Sequence, residues 1–345
     1  MSKLSQYTSW LGACLLIYLL FNFNWMIGQD VHFSQYNGSV FNLNPSLTGL
    51  FDGDYRLNTI YRRQWASVPV PYSSFSFSGD TKFKLKKTKS DCIGAGLIFN
   101  NDVSGTTHYN TNQIYASASY IHPLNSDSNL LWTNGLMIGI SNVGFNYNKM
   151  TFDEQYQNNS YTASNNTGEN FQKTNSTFLD FHAGSLIQYQ IKPRGIIQYG
   201  LSFHHVTNPK LSFQNNLNIK IDPKLHNYLH FSYPLSERLD GIAELLFAYQ
   251  GKYKEFNPGI QLKYWLNMKD NQSTSIGIYG RAKDAVIIRL GYQIKTLTTG
   301  VSYDINTSPF IAATSRRGGI EFYLIYIFKK LVPFMPKKRI CPIYM

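Results

Sequence analysis

The chain has 345 residues and, with 32 Lys and Arg against 20 Asp and Glu, a formal net charge of +12 at neutral pH, yet only 15% of it is charged and 15% is aromatic. So few charges speak against an ordinary soluble surface, and beyond the first segment no apolar run approaches the roughly 18 residues that a spanning helix needs. Mean hydropathy is -0.27, so any membrane-spanning structure must be a β-barrel, and 25 Tyr and 23 Phe suit the aromatic girdles of one.

Residues 1–28 read as an export signal. Lys3 supplies the positive start, Leu11 to Phe21 the apolar stretch, and Gly28 a small residue ahead of Gln29. Met26 is large for a position two before the cut, so a retained anchor is the alternative; Cys14 precedes the apolar stretch, which argues against lipidation. Residues 29–54 lack clean alternation and are expected to pack inside or beneath the barrel. From 55 to 328 come about fourteen alternating segments, at 55–63, 73–79, 91–100, 112–121, 130–142, 177–190, 195–204, 225–232, 239–249, 257–266, 273–281, 284–294, 296–305 and 318–328. The pattern is plainest where Val286, Ile288, Leu290 and Tyr292 oppose Ala285, Ile287, Arg289, Gly291 and Gln293. One face suits lipid and the other a polar lumen, so the expected fold is an all-β, transmembrane antiparallel barrel of the outer-membrane type.

An even strand number puts both ends of the barrel chain on the periplasmic side. Connections after odd strands then face outward, and they include the long ones, 143–176, 205–224 and 306–317. The Asn-, Thr- and Ser-rich segment 143–176 reads equally as a surface loop or a lumen plug. Positive charge gathers in two places. Lys82, Lys84, Lys86, Lys87 and Lys89 occupy one turn, and Lys329, Lys330, Lys337, Lys338 and Arg339 lie in a tail at 329–345. Both would lie on the periplasmic side, as a docking surface for an acidic partner or for anionic lipid headgroups; an exported barrel does not meet nucleic acid. Cys92 and Cys341 fall at the same end and could form a disulfide tying the tail to the rim.

Enzyme chemistry is not expected. His204 and His205 are adjacent on a strand end, so their side chains should diverge, one to the lumen and one to the rim, unable to chelate one metal together. Ser202 and His204 share a face, but that face is the lumen. His230, Glu244, Lys263, Arg289, Asp304 and Glu321 join them there and are expected to pair with one another. Gly94-Ala95-Gly96 lacks the helix that a phosphate loop requires, and its glycines fit strand positions approached closely by a neighbouring side chain or a plug. No catalytic residue, cofactor or metal site is therefore assigned.

Local motifs carry a resemblance. Gln29-Asp30-Val31-His32-Phe33-Ser34-Gln35-Tyr36, Asn42-Leu43-Asn44-Pro45-Ser46-Leu47-Thr48-Gly49 and Tyr61-Arg62-Arg63-Gln64-Trp65 are followed in order by His205-Val206-Thr207-Asn208-Pro209, Gly280-Arg281, Gly291-Tyr292, Ser302-Tyr303-Asp304-Ile305 and the ending Cys341-Pro342-Ile343-Tyr344. Together they resemble the PorP/SprF family of type IX secretion membrane proteins over nearly the whole mature chain. Two departures stand out: Ser46 where Ala is usual, and Gly319-Ile320-Glu321 where members often carry Ser-His-Glu. The resemblance implies a non-enzymatic accessory barrel in the outer membrane of Bacteroidota. Such a barrel is not the main translocation pore; it supports export or surface attachment of secreted proteins such as gliding adhesins, and contacts secretion components in the periplasm and outer membrane. A diffusion porin or hydrophobic-solute channel is the rival reading, compatible with the same fold.

Overall fold

The computed structural model describes residues 31–66, 70–85, 90–157, 159–169, 171–213, 218–309 and 311–329. The export signal of the sequence reading, as well as Lys86, Lys87, Lys89, Lys330, Lys337, Lys338, Arg339 and Cys341, lie outside them.

The strands are β1 (Tyr55–Gln64), β2 (Tyr72–Lys84), β3 (Cys92–Ser104), β4 (Tyr109–Pro123), β5 (Leu130–Gly144), β6 (Tyr156–Gln157), β7 (Ser160–Tyr161), β8 (Asn175–Lys192), β9 (Gly195–His204), β10 (Lys224–Pro234), β11 (Leu239–Gln250), β12 (Tyr253–Asn267), β13 (Gln272–Arg281), β14 (Ala285–Ile294), β15 (Leu297–Asn306) and β16 (Arg317–Phe328). All but β6 and β7, which pair only with each other, close into a barrel sealed by an antiparallel β1–β16 seam. Closure leaves the sheet without an edge strand, which the apolar interior of a bilayer demands. No helix among the described residues is long and apolar enough to cross a membrane.

The barrel turns the alternation inside out relative to a soluble protein. Leu97, Ile114, Leu179, Ile260 and Leu290 point outward and are exposed, Leu179 and Ile260 at 68% each, while Arg62, Asp180, Asp304 and Glu321 point inward and are buried. A water-facing surface so apolar would aggregate; in a bilayer it is the solvated face. Exposed Tyr55, Tyr120, Trp132, Tyr189 and Tyr264 ring the end with the short turns, and Tyr61, Tyr72, Phe203 and Tyr303 ring the other.

Most strands outrun the alternating stretches that announce them. β3 continues through Asn101 to Ser104 against Asn112 to Tyr109 of β4, held by an Asn101–Asn112 side-chain bond of 2.7 Å. Above the lipid both faces meet water, so the ladder goes on where hydropathy stops alternating. For the same reason Lys82 and Lys84, read from sequence as part of a turn, belong to β2, with Lys84 paired to Cys92. The long connections, 145–174 and 205–223, lie at one end. The turns 124–129, 193–194 and 235–238 lie at the other, beside the start of β1 and the end of β16.

Candidate functional site

Of the two irregular segments that could fill the lumen, the N-terminal one does. Residues 31–50 form short helical turns, Tyr36–Gly38, Val40–Leu43 and Pro45–Leu47, inside the wall. Phe41, Leu43 and Leu47 pack with the inward-facing Ile98, Tyr115, Met137, Leu186 and Leu246. Each such side chain, fully buried, stabilises by roughly 1.5–3 kcal/mol. The turn at Pro45 follows from local sequence. Asn44 accepts from Ser46 N at 2.9 Å, proline needs no hydrogen-bond partner at the first helical position, and Ser46 Oγ, the departure from the family pattern, adds a 2.7 Å bond to the same Asn44 oxygen.

Charged side chains on the wall clamp the plug. The Glu321 carboxylate accepts from the backbone of Ser34 at 2.8 Å and Gln35 at 2.5 Å. Asp304 Oδ2 takes Ser34 Oγ at 2.7 Å together with Arg62 at 3.0 Å and Arg281 at 2.9 Å. Arg62 also donates to His32 O at 3.0 Å, and Arg289, stacked 3.4 Å from the Tyr279 ring centre, donates to Ser34 O and to Glu244 at 3.2 Å. A second clamp holds the far end of the plug. Arg56 pairs with Asp80 at 2.9 and 2.6 Å, and together they fix Leu47 O at 2.9 Å and Gly49 N at 2.7 Å. A charge-assisted hydrogen bond contributes roughly 1.5–3 kcal/mol, and several of them fix each end of the plug.

The wall is cut to fit. A Cβ at Gly94 would lie 2.3 Å from Thr48 O, and one at Gly184 would lie 2.0 Å from Asn44 Oδ1. The sequence reading of Gly94 as a point of close approach is thus met by the plug itself. Asn44 Nδ2 reaches past Gly184 to donate to Ser185 O at 3.2 Å and Leu201 O at 3.1 Å.

Of the expected lumen set, Glu244, His230 and Arg289 pair with one another, while Lys263, Asp304 and Glu321 find other partners. Glu244 takes His230 at 2.8 Å as well as Arg289, and Lys263 donates to Gln293 at 2.8 Å. Ser202 is fully buried and gives its proton to Leu43 O at 2.7 Å, so it is a plug contact rather than a nucleophile. His205 departs from expectation. Its backbone is left-handed, φ 56°, which reverses the alternation and turns the ring inward to 2.6 Å from Asp180. It is 2% exposed, not a rim residue.

The basic residues are less uniform than their run suggests. Lys82 faces the lumen, donates to Phe51 O and stacks 5.4 Å from that ring, so it serves the plug linker. Lys84 is exposed at the rim. Lys329 pairs with Asp52 at 2.6 Å, and this hydrogen bond holds the Asp52 carboxyl below its ordinary pKa. Cys92 is half-buried at the start of β3.

Sequence reasoning missed Arg56, Asp80, Asp180 and His182. The first two are charges at lumen positions, and Asp180 and His182 sit two apart on one strand face, signals that alternation alone could have ranked. At the other end, the loops 145–174 and 205–223 join one another through Phe145, whose ring lies 5.1 Å from Phe171 and 4.9 Å from Phe213, and through Lys173 N to Phe213 O at 3.1 Å.

The motifs that line this plug also decide the family. Residues 26–326 match the family described as type IX secretion system membrane protein PorP/SprF. The chain belongs to the PorP/SprF family. This PorP/SprF protein is accordingly a type IX secretion component of the bacterial outer membrane. No curated protein matches it. Among solved structures it is similar to the Pseudomonas putida toluene transporter TodX, with a TM-score of 0.50 at 9% identity over 83% of this chain and 93% of that one. It is also similar to the Ralstonia pickettii toluene transporter TbuX, 0.47 at 12% over 84% and 92%, and to the translocator domain of the Neisseria meningitidis autotransporter NalP, 0.40 at 12% over 86% and 96%. At such identities the likeness is one of fold.

Proposed function

We propose that this protein is a plugged, non-enzymatic accessory barrel that supports export or surface attachment of secreted proteins, gliding adhesins among them, through docking surfaces at its two ends rather than through its lumen. The observation that carries the reading is the double clamp. An open diffusion channel is blocked by a segment fixed across it by Glu321, Asp304 and the Arg56–Asp80 pair, whereas a docking body gains rigidity. The joined loops 145–174 and 205–223 form the outward face for cargo. The short-turn face, with Lys84 and Lys329 and the lysines following in sequence, meets acidic periplasmic components.

Planar-bilayer recording of the purified protein tests it. The expected result is silence, together with capture of an exported protein by intact cells that is lost when loop 145–174 is replaced. Steady conductance by the wild-type protein would instead favour the diffusion-channel reading.

A further inference from the structure

Four histidines gather inside the wall beside the plug: His182 on β8, His204 and His205 at the end of β9, and His226 on β10. All are buried, as is Asp180. Their hydrogen bonds run in one direction. Ser202 has a single proton and gives it to Leu43 O at 2.7 Å, so its oxygen accepts from His204 Nε2 at 3.1 Å. Neutral His204 then carries its lone pair on Nδ1, which accepts from His182 Nδ1 at 3.1 Å. The network therefore puts a proton on His182 Nδ1, and the neutral ring keeps its lone pair on Nε2. That nitrogen stands 3.4 Å from Asp180 Oδ2, which also lies 2.6 Å from His205 Nδ1.

A nitrogen lone pair and a carboxylate oxygen facing each other in a dry site repel, and a divalent cation between them turns repulsion into attraction. The ligand atoms of Asp180, His182 and His205 all lie within 4.8 Å of one another. Around an ion bound at about 2.0–2.2 Å, neighbouring ligand atoms stand roughly 3.2–3.5 Å apart. The Asp180–His182 spacing already has that value, and His205, whose Nδ1–H donates to Asp180 at 2.6 Å, has to give up that proton to solvent as the metal binds and withdraw by less than about 1 Å. Two further features resemble a built site. Asp180 Oδ1 is anchored by Phe181 N at 2.9 Å, and His182 donates its second nitrogen to an acceptor fixed by the plug, the arrangement that orients metal-binding histidines. His205 reaches the cluster only through its left-handed backbone, φ 56°, held by Val206 N to Phe181 O at 3.0 Å.

We propose that Asp180, His182 and His205 form a binding site for a divalent transition-metal ion of the zinc class, with His204 as a positioning residue that links the site to plug residue Leu43. Two imidazoles and one carboxylate suit such ions rather than calcium or magnesium, which take all-oxygen sets. The ion ties β8 to the turn after β9 and fixes the tautomers of the relay down to Leu43. This site stands whether or not the protein docks cargo.

The test uses full-length protein without a polyhistidine tag, stripped with chelator and held in detergent. Calorimetric titration with zinc chloride is expected to give one ion per chain with a dissociation constant on the order of 1 µM or tighter, and cobalt(II) loading is expected to give visible bands of a low-symmetry nitrogen and oxygen site. Asp180→Asn should abolish both signals. His204→Ala should weaken zinc by about 10–100-fold and shift the cobalt bands, whereas His108→Asn, on the exposed β3–β4 turn, should change neither. Failure of the wild-type protein to bind zinc or cobalt stoichiometrically overturns the proposal, as does binding that His108→Asn removes and Asp180→Asn leaves intact.

Discussion

Two irregular stretches, residues 31–50 and the loop 145–174, look alike in their lack of alternation, yet one fills the barrel and the other stands outside it. The first carries Val40, Phe41, Leu43 and Leu47, a proline-initiated turn and two buried clamps. The second carries exposed Asn, Thr and Ser and a hairpin of two-residue strands, with its aromatics packed on one another and, through Phe145, on a neighbouring loop. Absence of periodicity is thus not absence of structure. What separates the two is whether the segment brings apolar surface and finds charged partners for its backbone.

The sharpest way to break this contrast is to release the inner segment. Arg281→Ala leaves Asp304 short of one buried counter-charge and should cost about 3–5 kcal/mol. The barrel should lose its heat-modifiable band on gels at a distinctly lower temperature, and the silent protein should begin to show conducting openings. A variant that inserts, melts as the wild type does and stays silent would mean that the clamp does not hold the plug. A smaller effect is expected of Gly184→Val, which drives a side chain into Asn44. Overpacking of this kind costs about 1–3 kcal/mol, and Asn44→Ala in the same protein should recover part of the loss. If the double variant melts below the single one, the contact is not the cause.

Exchanging residues 146–173 for a short turn probes the outer segment. Barrel melting should move by no more than about 0.5 kcal/mol, as for changes at an exposed surface, while capture of exported protein on cells is lost. A large drop in melting temperature would show that the loop bears on the wall after all. The smallest structural effect is expected of replacing Lys329, Lys330, Lys337, Lys338 and Arg339 with Gln. Losing the exposed Lys329–Asp52 pair costs under about 1 kcal/mol, so insertion should be intact. Recovery of an acidic periplasmic partner should weaken, as it should for the wild type in high salt. Unchanged recovery in a normally inserted variant would remove the tail from the docking surface.

The barrel was legible because period-two alternation is a local property: each residue between Val286 and Tyr292 declares its face by what its neighbours do. The same rule placed Glu244, Arg289, Asp304 and Glu321 on the lumen side correctly. It misplaced His205, because one left-handed backbone residue inverts the count. It also joined Lys82 to a rim cluster, where the partner that claims it, Phe51 O, lies 31 residues away.

By itself, then, the sequence determined the strands, the lipid face and the family, since alternation and motif order are written within a few residues of one another. Which segment fills the lumen, which charges clamp it and how His182 and His205 meet Asp180 were decided only by the tertiary structure. Ser34 and Glu321 stand 287 residues apart and Leu43 and Ser202 stand 159 apart. Such contacts exist only once closure of the barrel brings β16 against β1 and forms a lumen around the plug.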